Sequence, residues 1–321
     1  MHDSQLHMNP ASRRTFLKAV AAGMAGATAA GAKEVSRLEF WDSHGHLNCQ
    51  FPAEWVDALA ERMRAENVTK ASLTGVGLLS DHEDTDVLRG YEKYPQLFMP
   101  FLSNFDPNDP KSIQYVRHQL NNGPWRGVGE LFLDTTDTVH ASIPLRDGTR
   151  RKHPYPVPKD KSNNGVFRQV FDLCGEKGLP VFIHCERLSF LCEVLPRHAQ
   201  TRFLAAHCDY RCRPEDARRM LQEHPNVWCD VGAVLRQGGH KNPANAEAVA
   251  LYAAWQKLMS EFPDRICLGT DTYSWAALEA GFYKRVHEIF REVTAHLSPE
   301  NAQRIAKGNF QRMMQTGRES R

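Results

Sequence analysis

Eight short apolar runs, each followed by a stretch with helical periodicity, recur along this chain from Leu38 to Leu268. They are Leu38 to Trp41, Val68 to Val76, Leu97 to Leu102, Val128 to Leu133, Leu179 to Ile183, Arg202 to Ala206, Val227 to Val231 and Arg265 to Leu268. Strands that alternate with helices pair in parallel through right-handed crossovers, and eight such units in roughly 250 residues predict one closed (β/α)8 barrel of the TIM type. An open doubly wound sheet is the competing architecture, but no Gly-rich phosphate turn follows the first run. Pro52 to Asn67, with Trp55, Leu59 and Met63 at helical spacing, predicts the first helix. Pro299 to Met314 predicts a last helix that closes the barrel's edge or packs beneath it.

The first 32 residues fall outside that pattern. Ser12-Arg13-Arg14-Thr15-Phe16-Leu17-Lys18 precedes a mild Ala- and Gly-rich stretch that ends at Ala30-Gly31-Ala32. The stretch is too short and too weakly apolar to span a membrane, and its basic flank, apolar middle and small-residue end have the layout of an export signal. The paired arginines resemble a twin-arginine signal, which implies export of the folded chain by the twin-arginine machinery, cleavage after Ala32 and a periplasmic or otherwise exported product. Residues 1–32 are therefore read as signal and 33–321 as one barrel domain.

Removing 32 of 321 residues leaves 289, a normal length for an eight-stranded α/β barrel. Removing the segment's three basic and one acidic residue from the chain's 40 and 38 leaves 37 of each. A mature charge near zero gives no footprint for nucleic acid or anionic lipid. The eight cysteines are scattered in a chain large enough to fold without staples, and Cys174, Cys229 and Cys267 sit inside apolar runs as small hydrophobes.

Six residues stand at or just beyond the ends of the runs: His44, His46, Glu130, His184, His207 and Asp271. In a closed barrel these ends gather around one mouth. His44 and His46 are two apart, so their side chains point the same way, and a bend at Gly45 lets their nitrogens converge on one divalent ion at about 2.0 to 2.2 Å. Alone, each histidine is as well explained by a local hydrogen bond. Together, the six suit a metal that activates water.

The set resembles the amidohydrolase superfamily of metal-dependent barrels, in its amidohydrolase-related branch, with some similarity to TatD-type deoxyribonucleases. The resemblance runs from Asp42 to Asn309. It implies His-x-His from the first strand, a bridging residue from the fourth, histidines from the fifth and sixth and an aspartate from the eighth, positions filled here by His44 and His46, Glu130, His184, His207 and Asp271. Ile305-Ala306-Lys307-Gly308-Asn309 also resembles the family's closing signature and is read as packing.

Glu130 decides between one ion, zinc or a similar cation, and two. A carboxylate between two ions bridges them, whereas Glu130 beside the site, or paired with Arg126, leaves one ion on His44, His46, His184 and Asp271. Asp271 is expected to accept the proton of the activated water, the alternative being a cap on a helix near Trp275. Asp42, Glu186 and Asp209 are candidate partners of the ligand histidines.

The stretch between Asp134 and Asn163 is long for a turn, and from Arg146 to Lys161 it carries six basic residues, Arg150 and Arg151 among them, against two acids. It is read either as a solvated loop or as a lid that favours an anionic small-molecule substrate. Arg236 and His240, after the seventh run, form a possible second wall. The leading expectation is metal-dependent hydrolysis of a lactone, amide or ester. Metal-dependent non-oxidative decarboxylation of an aromatic or unsaturated acid is the alternative, and a non-catalytic exported metal- or ligand-binding barrel is the third.

Overall fold

The structure is a computed structural model that describes residues 38–47, 54–75, 83–134, 142–144, 150–152, 165–185, 188–208, 212–232, 235, 241, 244–272, 278 and 281–315. Residues 1–32, read from the sequence as an export signal, and Glu186, Asp209, Arg236, His240 and Trp275 lie outside these residues.

Eight parallel strands form one sheet in the order β1 (Phe40–Asp42), β2 (Val68–Thr74), β3 (Phe98–Leu102), β4 (Gly127–Asp134), β7 (Pro180–Cys185), β8 (Arg202–Ala205), β9 (Val227–Val231) and β10 (Ile266–Leu268). Each pairs only with its sequence neighbours in the barrel series, as successive right-handed crossovers require. The first and last strands meet through their extensions. Ser43 N donates to Leu268 O at 2.9 Å, Asp271 N to His44 O at 2.8 Å and His46 N to Thr272 O at 3.3 Å. Asp42 reinforces that seam, since Oδ1 accepts from Thr270 N at 2.9 Å and Oδ2 from Thr270 Oγ1 at 2.7 Å.

The period-2 alternation of the strands separates two cores. One set, including Phe98, Leu102, Val181, Ile183, Phe203 and Ile266, packs outward under the helices. The other set, Met99, Phe101, Phe182, Leu204 and Cys267, fills the barrel.

The helices between the strands are α1 (Trp55–Ala65), α2 (Glu83–Lys93), α3 (Ser112–Asn122), α4 (Gly165–Lys177), α5 (Leu188–Val194), α6 (Pro214–Glu223), α7 (Ala246–Glu261) and α8 (Phe282–Thr294). α1 buries Trp55, Leu59 and Met63, the spacing that predicted it. The C-terminal segment differs from a single helix. α9 (Pro299–Gln303) and α10 (Asn309–Met314) are joined by a π-helical turn, Arg304–Gly308. Phe310 and Met313 close the bottom of the barrel interior. Asn309, fully buried, donates to Pro263 O and Ile266 O, both at 2.7 Å, so the closing signature is structural.

The basic stretch after β4 is not all loop. β5 (Ser142–Pro144) and β6 (Arg150–Lys152) form an antiparallel pair that carries Arg150 and Arg151. No helix among the described residues is long and apolar enough to cross a membrane. Six cysteines among them are free thiols.

Candidate metal centre

His44 and His46 follow β1, where the chain leaves the sheet and is held by isolated bridges to Thr272 and Thr74. That extension aims both imidazoles inward, with Nε2 atoms 2.9 Å apart. Glu130 lies inside β4. Its backbone N donates to Thr74 Oγ1 at 2.9 Å, and the same hydroxyl donates to Gly129 O. Gly129, at φ +132°, has no room for a side chain, because a Cβ there would overlap the Phe182 carbonyl on β7. His184 lies near the end of β7, its ring stacked on Phe132 at 4.6 Å between centroids. His207 and Asp271, just past β8 and β10, adopt left-handed φ values of 53° and 47°. Non-glycine residues pay about 1–3 kcal/mol for such backbone, and they concentrate where function holds them.

The structure brings all six of these residues together. Four atoms face one point: His44 Nε2, His46 Nε2, Glu130 Oε2 and Asp271 Oδ1. The histidine-to-carboxylate separations are 3.4 and 3.5 Å from His44 and 3.6 and 3.3 Å from His46. A tetrahedral ion with ligands at 2.0–2.2 Å has edges of about 3.3–3.6 Å. The donor set therefore fits such a cation, with the histidine pair as its one short edge.

Glu130 turns its other oxygen to the second pair of histidines. Oε1 lies 2.9 Å from His184 Nδ1 and 3.5 Å from His207 Nε2. The ligand atoms of Glu130, His184 and His207 all fall within 4.8 Å of one another, as do those of His44, His46 and Glu130. One carboxylate is thus shared by two adjacent donor groups. Among the described residues Arg126, named as its alternative partner, forms no ion pair with it.

The electrostatics match a site made for positive charge. Burial opposes ionisation of His44, yet Glu130, Asp271 and Asp230 around it hold its imidazole well above the usual range. Burial likewise pushes the Glu130 carboxyl up, but His44, His184 and His207 carry it well below the usual carboxylate range. Buried carboxylates persist only where cations or donors compensate them.

Asp230 is the residue that sequence reasoning missed. It sits in β9, 2 % exposed, with Oδ2 2.8 Å from His44 Nδ1 and Oδ1 accepting from Ser43 Oγ at 3.2 Å. A carboxylate oxygen at this distance accepts from His44 Nδ1–H, which leaves Nε2 as the nitrogen that would face a cation at the shared point. Gly269 makes space for this pair, since a Cβ there would overlap Asp230 Oδ1 and His44 Cβ. A carboxylate one residue before the end of an otherwise apolar strand was the available signal. Asp42, a candidate partner of the histidines, accepts from His44 N at 3.1 Å and from Tyr283 OH at 3.2 Å, and burial lifts its carboxyl to about 6.

A closed parallel barrel with histidines and carboxylates at its C-terminal mouth is the architecture of a metal-dependent enzyme. The family model described as amidohydrolase matches residues 41–313, and the chain belongs to that family, within a superfamily of metal-dependent enzymes. This sets aside the non-catalytic barrel. Among solved structures, the chain is similar to an amidohydrolase from Burkholderia multivorans with bound zinc, at 14% identity and a TM-score of 0.62 over 86% of this chain and 99% of that one. It is also similar to dihydroxybenzoic acid decarboxylase from Polaromonas sp. JS666 with bound manganese and 2-nitroresorcinol, at 10% identity and 0.52 over 86% and 97%. A third is 5-carboxyvanillate decarboxylase from Sphingomonas paucimobilis, at 13% identity and 0.50 over 87% and 99%. None of the curated protein sequences compared with it matches.

Proposed function

We propose that the chain is an exported metal-dependent hydrolase acting on a small lactone, amide or ester. The observation that carries this reading is the convergence of His44 Nε2, His46 Nε2, Glu130 Oε2 and Asp271 Oδ1, with Glu130 Oε1 turned to His184 and His207. His44, His46, Glu130 and Asp271 would hold one cation, and Glu130, His184 and His207 a second, zinc being one that suits these ligands. A bound divalent cation would supply Lewis acidity, polarising a carbonyl and lowering the pKa of water to about 7.

The remaining work falls to the chain. Asp271 has the most exposed side chain of the six, at 12 %, so it meets substrate and solvent entering from the mouth. Its Oδ1 faces the histidines, while Oδ2, 3.9 Å from His207 Nδ1, would take the proton of the attacking water and return it to the leaving group. Glu130 keeps the two histidine pairs in register. Arg150 and Arg151 on β6, with Arg236 and His240, would favour an anionic substrate entering from the strand-end loops.

Asp271→Asn keeps the volume and one ligand oxygen but cannot take the proton, so turnover on the best substrate of a lactone, amide and ester panel should fall by about 100-fold or more. The affinity for substrate should change much less. Two fold neighbours are decarboxylases, so the panel includes aromatic carboxylates and carbon dioxide is measured beside hydrolysis. Carbon dioxide release without hydrolysis would replace the hydrolase reading with the decarboxylase one, and full activity in Asp271→Asn would remove Asp271 as the base.

Export through the twin-arginine machinery rests on Arg13-Arg14 and the Ala-rich stretch to Ala32. Intact mass of the secreted protein should begin at residue 33. A secreted chain that retains Met1 would contradict it.

A further inference from the structure

Four cysteines share the outer core around β8 and β9. Cys208, the residue after His207, and Cys229 on β9 belong to the core itself, while Cys192 on α5 and Cys212, two residues before α6, are half-buried against it. Cys208 Sγ donates to Ala205 O at 3.5 Å, and Ala205 is the register partner of Cys229 across β8 and β9. Cys212 N donates to Cys208 O at 2.9 Å, the hydrogen bond of a single helical turn. The Cys208 thiol is in hydrogen-bond contact with the thiols of both Cys212 and Cys229.

These thiols are not equivalent. Cys208 and Cys229 are 1 % and 0 % exposed, whereas Cys212 reaches solvent. The ends of one helical turn lie about 6 Å apart in Cα, within the roughly 4.4–6.8 Å that a disulfide spans. Among the described residues the thiols form no three-donor group within 4.8 Å, the spacing that marks the metal centre, so the pair chemistry of a disulfide suits them and a bound cation does not. His207, at a left-handed φ of 53°, is joined directly to Cys208.

We propose that Cys208 and Cys212 are a redox pair that forms an intramolecular disulfide by exchange with a small-molecule disulfide such as oxidised glutathione, stapling the turn that follows His207. Cys212, the reachable thiol, attacks the oxidant as a thiolate: a mixed disulfide forms and one glutathione leaves as its thiolate. Cys208 Sγ then attacks the Cys212 sulfur, its proton passing to solvent, and the second glutathione leaves. The pair loses two hydrogens in all, and the oxidant gains them. Export as proposed above would carry the pair into an oxidising compartment, but no step involves the metal or depends on the reaction catalysed there.

The test is peptide mapping of the full enzyme after incubation with oxidised glutathione, with free thiols alkylated in denaturant before digestion. Arg211 lies between the two cysteines and Arg213 is followed by Pro214, so trypsin places them on separate peptides, 203–211 and 212–218. The two peptides should be recovered joined, two hydrogens lighter than the sum of their thiol forms, and should part on reduction. In Cys208→Ser the second attack is lost, so one glutathione should remain on Cys212. Mapping of the wild-type protein does not depend on that variant folding. Recovery of both cysteines alkylated, or of Cys212 joined to Cys192 or Cys208 to Cys229 instead, would overturn the proposal.

Discussion

A buried imidazole can offer one nitrogen to a cation only when the other is committed elsewhere, and Asp230, 2.8 Å from His44 Nδ1, makes that commitment. Asp230→Asn removes the charge that keeps the Nδ1 proton in place, and the loss of such a partner costs metal affinity about 10- to 100-fold. Competition with a chromogenic chelator measures it directly, without recourse to turnover. Unchanged affinity would reduce Asp230 to a packing residue. Five of the six site residues were legible because each falls at or beyond the end of an apolar run, where a polar side chain has few other reasons to be, whereas Glu130 lies inside β4 and was legible as a lone carboxylate in an apolar run. Asp230 was not legible, because Val227-Trp228-Cys229-Asp230-Val231 reads as strand throughout and only the barrel's curvature brings β9 against the chain after β1.

At the scale of elements, α8 shows how burial is converted into pH dependence. Tyr283, Val286, His287, Phe290 and Val293 form its buried face, and His287 donates Nδ1–H to Tyr283 O at 2.9 Å while its ring meets Phe40 edge-on. Burial, with Arg291 adding to it, lowers the His287 pKa to about 3. A histidine depressed in the folded state contributes stability that is present above its unfolded pKa of about 6.5 and lost as pH falls towards 3. The full loss is on the order of 5 kcal/mol. In His287→Gln the fall of stability between pH 6.5 and 3, followed by urea unfolding, should be shallower than in the wild type. Asp42 and Asp84, whose carboxyls burial lifts to about 6, titrate in the opposite sense in both proteins and cancel in the comparison. Identical pH profiles would show that His287 does not drive the acid limb. Strands and α1 were readable from periodicity alone. The β5–β6 pair was not, because a short basic hairpin has no apolar face to announce it, and the π-helical turn was hidden because apolar spacing runs unbroken through it.

For the whole molecule, the eight-stranded barrel explains why residues as distant as His44 and Asp271 meet: closure places the first and last strands side by side, and Asp42 ties their ends together. A sheet left open would hold β1 and β10 at opposite edges. The same closure gathers the carboxylates and histidines at one mouth of the barrel. Substrate identity was not legible at this scale, because specificity resides in the strand-end loops while the frame fixes only the chemistry. The central claim is a divalent metal centre spanned by Glu130, and metal content of the purified protein by mass spectrometry tests it most directly. Wild-type protein should carry about two equivalents of zinc or a similar ion per chain, and Glu130→Gln, folded to the same melting temperature, no more than about one. Wild-type protein with less than one equivalent, or equal metal content in the two proteins, would contradict it.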